Sequence, residues 1–166
     1  MNNNLNNNLF SMTISHSQKI EMKFENIFKF LSNFNNNRKI IFIDPVVLAN
    51  NNDFLKLEEE IPNLILVPTN LYEATKNIDS LLSIISVLEE NSIGRRNEII
   101  LAVGGGALLD IVSFAASIYR RGIHVIKVPT SLLGIVDASV GIKTGINYSG
   151  QRNRLGTYHF DYSVII

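Results

Sequence analysis

The sequence predicts an α/β fold: an open, mostly parallel sheet with flanking helices. Three observations predict it. Short apolar runs of strand length recur along the chain, segments with helical spacing lie between them, and Gly, Pro or Asp follows most runs. Continuous apolar runs are typical of strands that are buried on both faces. Strands that alternate with helices over short connections pair in parallel through right-handed crossovers.

The elements follow one another from an Asn-rich start. Few apolar side chains occur in residues 1–18, so burial cannot offset the entropy of ordering them, and we expect a disordered leader. Residues 19–166 are predicted to form one α/β domain. Strands are predicted at 39–43, 64–67, 99–103 and 125–128, and helices from 45 to about 60, at 71–90, 107–119 and about 131–140. A glycine-punctuated segment runs to residue 158. This alternation is typical of a Rossmann-like sheet, whose ligands bind beyond the carboxyl ends of the strands.

Composition excludes several classes of protein. The 166 residues carry 15 basic and 15 acidic side chains, so we expect no binding to nucleic acid through bulk charge. Cysteine is absent, which excludes a disulfide scaffold, thiolate catalysis and cysteine-ligated zinc. No apolar run reaches the roughly 20 residues that span a bilayer, so no membrane association is expected. The expected location is the cytoplasm.

The strongest local signal is the turn Gly104-Gly105-Gly106, between a predicted strand and a predicted helix. Glycines let backbone amides approach an anion closely, and the helix N-terminus adds its dipole, so the pyrophosphate of a dinucleotide is the expected ligand. The match to G-x-G-x-x-G is partial, because Leu109 stands in place of the third glycine. A purely structural glycine turn is the alternative. Asp110 either faces the nucleotide or is simply favoured by the helix dipole.

Residues 129–159 are the richest in polar chemistry. Thr130 and Ser131 either cap a helix or bind a ribose or phosphate. Asp137 lies in an otherwise apolar predicted helix, where burial would be costly without a partner, so a salt bridge to Lys143 or an arginine is the structural alternative to a functional role. Upstream, Arg121 either complements a helix C-terminus or binds a phosphate or carboxylate. The three histidines lack metal-ligand spacing, so no complete metal site is predicted.

Four segments together resemble the sugar phosphate cyclase superfamily, whose best-known members are the 3-dehydroquinate synthases. They read GGGALLD, YRRG, VPTSLLGIVDASVGIKTGIN and RNRLGTYH, and the resemblance extends over residues 39–166. The segments VGIKTGIN and SIGRRNEIILAVGGG are closer to the 2-epi-5-epi-valiolone synthase branch, which uses sedoheptulose 7-phosphate. A 3-dehydroquinate synthase and an inactive NAD-binding fragment are the alternatives. Iron-containing alcohol dehydrogenases share the glycine turn but fit residues 137–153 less well.

The resemblance implies an NAD-dependent lyase that eliminates phosphate and forms a carbocycle without net redox change. It implies an adenosine site at Asp44, Glu73 and Lys76. It implies further NAD contacts from Gly105, Gly106, Asp110, Thr130, Ser131 and Arg152. It implies substrate contacts from Arg121, Asp137, Lys143 and Asn153, of which Asp137 and Lys143 are the catalytic candidates.

The resemblance also implies parts that this sequence does not contain. The family's zinc or cobalt ligands, one Glu and two His, belong to a helical C-terminal domain, so no metal ligand is expected among these 166 residues. The last residues, SVII, read as a strand that has just begun, which predicts a chain truncated at its C-terminus. We therefore expect the chain alone to lack cyclase turnover. A homodimer is expected from the family.

Overall fold

The computed structural model describes residues 21–23, 26–34, 37–95, 98–159 and 163–166. The predicted leader, residues 1–18, lies outside the described residues. The strands are β1 (Glu21–Lys23), β2 (Arg38–Ile43), β3 (Leu64–Pro68), β4 (Glu98–Gly104), β5 (Val125–Pro129), β6 (Lys143–Tyr148), β7 (Gln151–Tyr158) and β8 (Ser163–Ile165). The helices are α1 (Ile27–Ser32), α2 (Pro45–Asn50), α3 (Asp53–Glu60), α4 (Ile78–Glu90) and α5 (Gly106–Ile118).

The main sheet has six strands within the described residues, in the order β1-β8-β5-β4-β2-β3. Every neighbouring pair in it is parallel. Strand β2 lies between β3 and β4, with Ile41 opposite both Leu66 and Leu101. The Rossmann-like α/β class is therefore confirmed, with helices in the connections from β2 to β3, from β3 to β4 and from β4 to β5.

Two apolar layers hold the central strands, one on each face of the sheet. Ile40 and Ile100 face α4 and α5, whereas Ile41 and Leu101 face α1 and α3. Neighbouring residues of a strand point to opposite faces, so a continuous apolar run supplies both layers at once. These four side chains are fully buried, which fixes the carboxyl ends of β2 and β4 in place.

Strands β6 and β7 form a separate antiparallel hairpin. The sequence pattern predicted only a glycine-punctuated segment here, so this hairpin was missed. Gly145 and Gly156 lie opposite each other, and a Cβ added at either would strike a backbone carbonyl oxygen of the facing strand. The hairpin packs on α5 through buried Ile146 and through a hydrogen bond between Ser117 Oγ and Thr157 Oγ1 of 2.8 Å.

Three predicted helices differ from the observed elements. The predicted helix from 45 to 60 is divided into α2 and α3 at Asn51 and Asn52. The predicted helix at 71–90 begins at Ile78, because a 3₁₀ turn at Glu73–Thr75 precedes it. The predicted helix at 131–140 contains a π-helical turn, Gly134–Ala138. Among the described residues, no helix is both long and apolar enough to cross a membrane.

Candidate functional site

The strand order reverses between β2 and β4. The chain passes from β2 to β3 on one side of β2, and then to β4 and β5 on the other. Ligands of open α/β sheets bind at such a switch point, beyond the carboxyl ends of the strands. Asp44 follows β2 at this point and its backbone N–H donates to Val103 O at 2.9 Å. The predicted glycine turn follows β4 beside it.

The three glycines of the turn have different surroundings. A Cβ at Gly104 would lie 3.2 Å from Leu108 Cδ1 and 3.3 Å from Asp44 Cβ, so this glycine permits close packing of strand on helix. At Gly105 the nearest atom to an added Cβ is Ser131 Oγ at 3.8 Å. Gly105 is the N-cap of α5 and provides no capping side chain. The first N–H groups of α5 therefore lack both an intrahelical acceptor and a side-chain cap from this residue.

The polar residues beside the turn cap local structure. Asp44 Oδ1 accepts a hydrogen bond from Val46 N at 2.8 Å and so caps α2. Ser131 Oγ accepts from Gly134 N at 3.1 Å. Thr130 follows β5, its side chain is exposed, and its N–H donates to Gly104 O at 3.0 Å. The predicted NAD contacts thus lie on both sides of the glycine turn, with Asp44 at the end of β2 and Thr130 and Ser131 at the end of β5.

Lys76 is the centre of a buried polar network. The residue is only 2% exposed. Its ammonium donates to Asp110 Oδ2 at 2.9 Å and to Asn153 Oδ1 at 2.7 Å. Glu73 Oε2 lies 3.7 Å from the same ammonium. The structure thus joins three predicted cofactor-binding residues, Glu73, Lys76 and Asp110, to the predicted substrate-binding Asn153.

Burial governs the ionisation of Asp110, which lies in the second turn of α5. Burial raises the pKa of its carboxyl group above the ordinary value of 3.8. The hydrogen bond from Lys76, the charge of Lys76 and the charge of Lys127 lower that pKa, but burial has the larger effect. The carboxylate therefore depends on buried cations to remain charged.

A cavity of about 790 Å³ lies between α5, the π-helical turn and the hairpin. The charged and amide side chains in its lining are Asp110, Asp137, Lys143, Asn153 and Arg154. The structure thus brings together the predicted catalytic pair, Asp137 and Lys143, and the predicted substrate contact Asn153. This volume lies within the roughly 300–1,000 Å³ of typical small-molecule sites.

The structural alternative for Asp137, a buried carboxylate in a salt bridge, is not what the structure shows. Its side chain is exposed, and among the described residues it forms no ion pair with Lys143 or an arginine. The residue lies on the π-helical turn at the surface, where Leu133 and Val136 are exposed too. Water can solvate a carboxylate in that position, so no partner is required.

The predicted site residues Arg121 and Arg152 line other cavities. Arg121 lines a separate cavity of about 350 Å³ together with Arg95, His124 and His159. Arg152 lines another, of about 540 Å³, at the tip of the hairpin. Arg121 follows the end of α5, where its φ of 67° and the φ of 106° at Gly122 turn the backbone. Substrate contact by Arg121 and NAD contact by Arg152 therefore stay predictions.

Asn147 is a site residue to which the sequence analysis gave no role. Its side-chain amide donates to Glu73 O at 2.9 Å and to Glu73 Oε1 at 3.1 Å. These partners are 74 residues apart in the chain, so no local pattern could have revealed the contact. The sequence offered one hint of a role for Asn147, which is its place in the polar stretch 143–154.

No group of three or more His, Asp or Glu residues is placed to hold a metal ion in the part of the chain that the structure describes. His159 Nε2 lies 3.2 Å from Ile123 O. The carboxylates, amide and cations that line the large cavity are groups that bind the hydroxyls and phosphates of polar organic molecules.

Comparison with known proteins places this geometry in a family. The family model described as 3-dehydroquinate synthase N-terminal matches residues 66–166. A 2-epi-5-epi-valiolone synthase from Streptomyces albus is 49% identical over 86 residues, which cover 52% of this chain and 21% of that protein. A 3-dehydroquinate synthase from Sulfolobus acidocaldarius is 36% identical over 159 residues, which cover 94% of this chain and 43% of that protein.

A solved structure is similar over nearly the whole chain. It is ValA, a 2-epi-5-epi-valiolone synthase from Streptomyces hygroscopicus subsp. jinggangensis 5008 with NAD⁺ and Zn²⁺ bound. The TM-score is 0.83 at 28% identity, over 94% of this chain and 45% of that one. The chain thus spans less than half the length of these relatives. It belongs to the 3-dehydroquinate synthase N-terminal family.

Proposed function

We propose that this chain is the NAD-binding half of a sugar phosphate cyclase of the 2-epi-5-epi-valiolone synthase type. The observation that carries the proposal is the open face of Gly105 at the switch point of the sheet. Gly105 is the N-cap of α5, and Asp110 in the second turn of this helix lines a cavity together with Lys143 and Asn153. A dinucleotide on the glycine turn would lie close to a sugar phosphate in that cavity. The NAD⁺ bound to ValA supports this assignment.

The residues at the turn fit NAD. The N–H groups at the start of α5 would bind the pyrophosphate, because helix N-termini favour anions and no side chain of Gly105 blocks the approach. Asp44 and Glu73 would bind hydroxyl and amino groups of the adenosine. Lys76 would act from inside the protein, since its ammonium is buried against Asp110 and Asn153. When bound, the nicotinamide would supply an acceptor for the hydride on a ring carbon that bears a hydroxyl group, while the hydroxyl proton passes to a base, and the hydride would be returned in a later step.

The cavity residues fit a sugar phosphate. Lys143 and Arg154 are both exposed and both line the cavity, so two cations are available for a phosphate group. Asp137 would accept hydrogen bonds from ring hydroxyls, which its solvated carboxylate can do without losing an existing partner. Asn153 would fix the orientation of the sugar, because its side chain is already held by Lys76.

Metal ligation does not fit the described residues, which offer no cluster of suitable ligands. The match covers 45% of the ValA chain. We therefore propose the complete cyclisation only for this half together with a second half that corresponds to the rest of ValA.

Calorimetric titration of NAD into the 166-residue chain tests the proposal. Gly105→Ala is the informative variant, since φ at residue 105 is −78° and an alanine would fit without strain. We expect this variant to keep its melting temperature while its Kd for NAD rises about tenfold or more, because the methyl group occupies the pyrophosphate position. Ser83→Ala, on the exposed face of α4, is the matched control. Absence of NAD binding by the unsubstituted chain would refute the proposal.

A 3-dehydroquinate synthase is the second candidate, favoured by the 36% identity over 94% of the chain with the protein from Sulfolobus acidocaldarius. The two candidates differ in substrate. Sedoheptulose 7-phosphate and a heptulosonate phosphate are each titrated into the NAD complex. Selective binding of the heptulosonate phosphate would replace the valiolone synthase assignment with this second one.

A further inference from the structure

Asn147 connects the two halves of the candidate site. Its side-chain Nδ2 donates to the backbone oxygen and to Oε1 of Glu73. Its side-chain Oδ1 accepts from Asn153 N at 2.9 Å. Its backbone N–H donates to Lys76 O at 2.7 Å. One residue of the hairpin therefore contacts Glu73 and Lys76 on the cofactor side and Asn153 on the substrate side.

The hairpin is irregular at this residue. Ile146 pairs with Leu155 and Tyr148 pairs with Gln151, so the register shifts at Asn147. The N–H of Asn147 leaves the ladder and binds Lys76 O instead. Asn153, on the opposite strand, has a φ of 49°, a left-handed conformation that asparagine tolerates. β-Bulges commonly redirect a side chain beside an active site, and this irregularity directs Asn147 toward Glu73.

We infer that Asn147 is a positioning residue that sets the affinity for NAD by holding Glu73. The inference rests on the proposed function, in which Glu73 contacts the adenosine of NAD. The side chain of Glu73 is 43% exposed, so without the amide of Asn147 its carboxylate keeps the longer contact of 3.7 Å with the Lys76 ammonium and rotates more easily into water. The same amide fixes the backbone of Asn153, so a change at residue 147 also disturbs the substrate side.

The test is a double-mutant cycle on the 166-residue chain, with NAD affinity measured by calorimetry. Asn147→Asp keeps an oxygen for Asn153 N but replaces the donor by an oxygen that repels Glu73. In the second background of the cycle, Glu73→Gln supplies an amide that can donate to the new carboxylate at residue 147. We expect Asn147→Asp to raise the Kd for NAD about tenfold in the presence of Glu73, and less than about threefold in the Glu73→Gln background.

Gln151→Glu is the matched control. This variant makes the same change from an amide to a carboxylate in the same hairpin, and Gln151 lines the same cavity as Glu73. Unlike Asn147, Gln151 has no hydrogen bond to Glu73 among the contacts of the described residues. We expect its Kd for NAD to stay within about twofold of the unsubstituted chain. Asn147→Ala removes the amide without adding charge and is expected to raise the Kd for NAD about threefold to tenfold. This variant replaces Asn147→Asp in the test if the aspartate variant does not fold.

The outcomes separate this inference from the proposed function. An equal loss of affinity with and without the Glu73→Gln substitution, or a loss fully explained by a lower melting temperature, would overturn the positioning role while NAD binding stands. An unchanged Kd in both Asn147 variants would do the same. Failure of the unsubstituted chain to bind NAD would overturn both.

Discussion

Replacing Lys76 by methionine is the most direct test of the buried network. Lys76→Met keeps most of the side-chain volume and removes the ammonium. Asp110 then loses the donor at 2.9 Å, and Asn153 loses the donor at 2.7 Å. The rest of the Lys76 side chain is packed in the interior, so a methionine there changes the electrostatics far more than the packing.

The magnitude follows from the burial of the two partners. Removing one member of a buried ion pair costs about 3–5 kcal/mol, because an uncompensated charge remains. The Asp110 side chain is 22% exposed, so water and partial protonation offset some of that cost. We expect the free energy of unfolding to fall by about 3 kcal/mol. For a chain of this size, that corresponds to a decrease in Tm of about 6–12 °C.

Urea denaturation followed by circular dichroism measures the loss, and a second variant identifies its cause. Lys76→Met combined with Asp110→Asn removes both charges, so the double variant is expected to be at least about 1 kcal/mol more stable than the sum of the single effects predicts. A Lys76→Met protein within about 0.5 kcal/mol of the unsubstituted chain would refute the reasoning. Strictly additive effects of the two substitutions would refute it too.

Three further predictions concern the surroundings of the site. Lys127 is fully buried and donates to Ala138 O at 2.7 Å and Gly141 O at 3.3 Å, so Lys127→Met is expected to lower the free energy of unfolding, measured in urea, by about 1–3 kcal/mol. Gly156→Ala places a Cβ against the backbone oxygen of Thr144, so a decrease in stability of about 2 kcal/mol or more is expected; an unchanged thermal melt would show that the strands separate freely. The folded state binds a proton at Asp110 more tightly than the unfolded chain does, because burial raises its pKa. The stability of the unsubstituted chain relative to Asp110→Asn is therefore expected to be greatest below pH 3.8 and to fall as the pH rises toward neutrality; a difference independent of pH would contradict this.

The main sheet could be predicted from the sequence because its signals are local. The predicted strand at 39–43 is observed as Arg38–Ile43, and the one at 64–67 as Leu64–Pro68. A strand that is buried on both faces must be apolar at every position, which a single segment reveals. The glycine turn at 104–106 could be predicted for the same reason, since strand, turn and helix are contiguous.

The hairpin could not be predicted, because its stability comes from distant parts of the chain. Nearly all of β7 is exposed, so the strand shows no alternation of apolar and polar residues. The hairpin binds to parts of the chain that are far away in sequence: Thr157 of β7 contacts Ser117 on α5, and Asn147 of β6 contacts Glu73. The surroundings of Asp137 could not be predicted for a related reason: the sequence predicted a regular helix over 131–140, whereas Gly134–Ala138 forms a π-helical turn with Asp137 exposed.

The buried network has a consequence for ligand binding. The proposed cofactor contact Glu73 and the proposed substrate contact Asn153 share two partners, Lys76 and Asn147. A ligand that orders either contact therefore reduces the conformational entropy that the second ligand must lose. The coupling free energy is reciprocal, so NAD would tighten the binding of a sugar phosphate by the same factor as the sugar phosphate tightens that of NAD. The total free energy of binding both ligands would then be the same whichever ligand binds first, and Asn147 of the hairpin would take part in the binding of each.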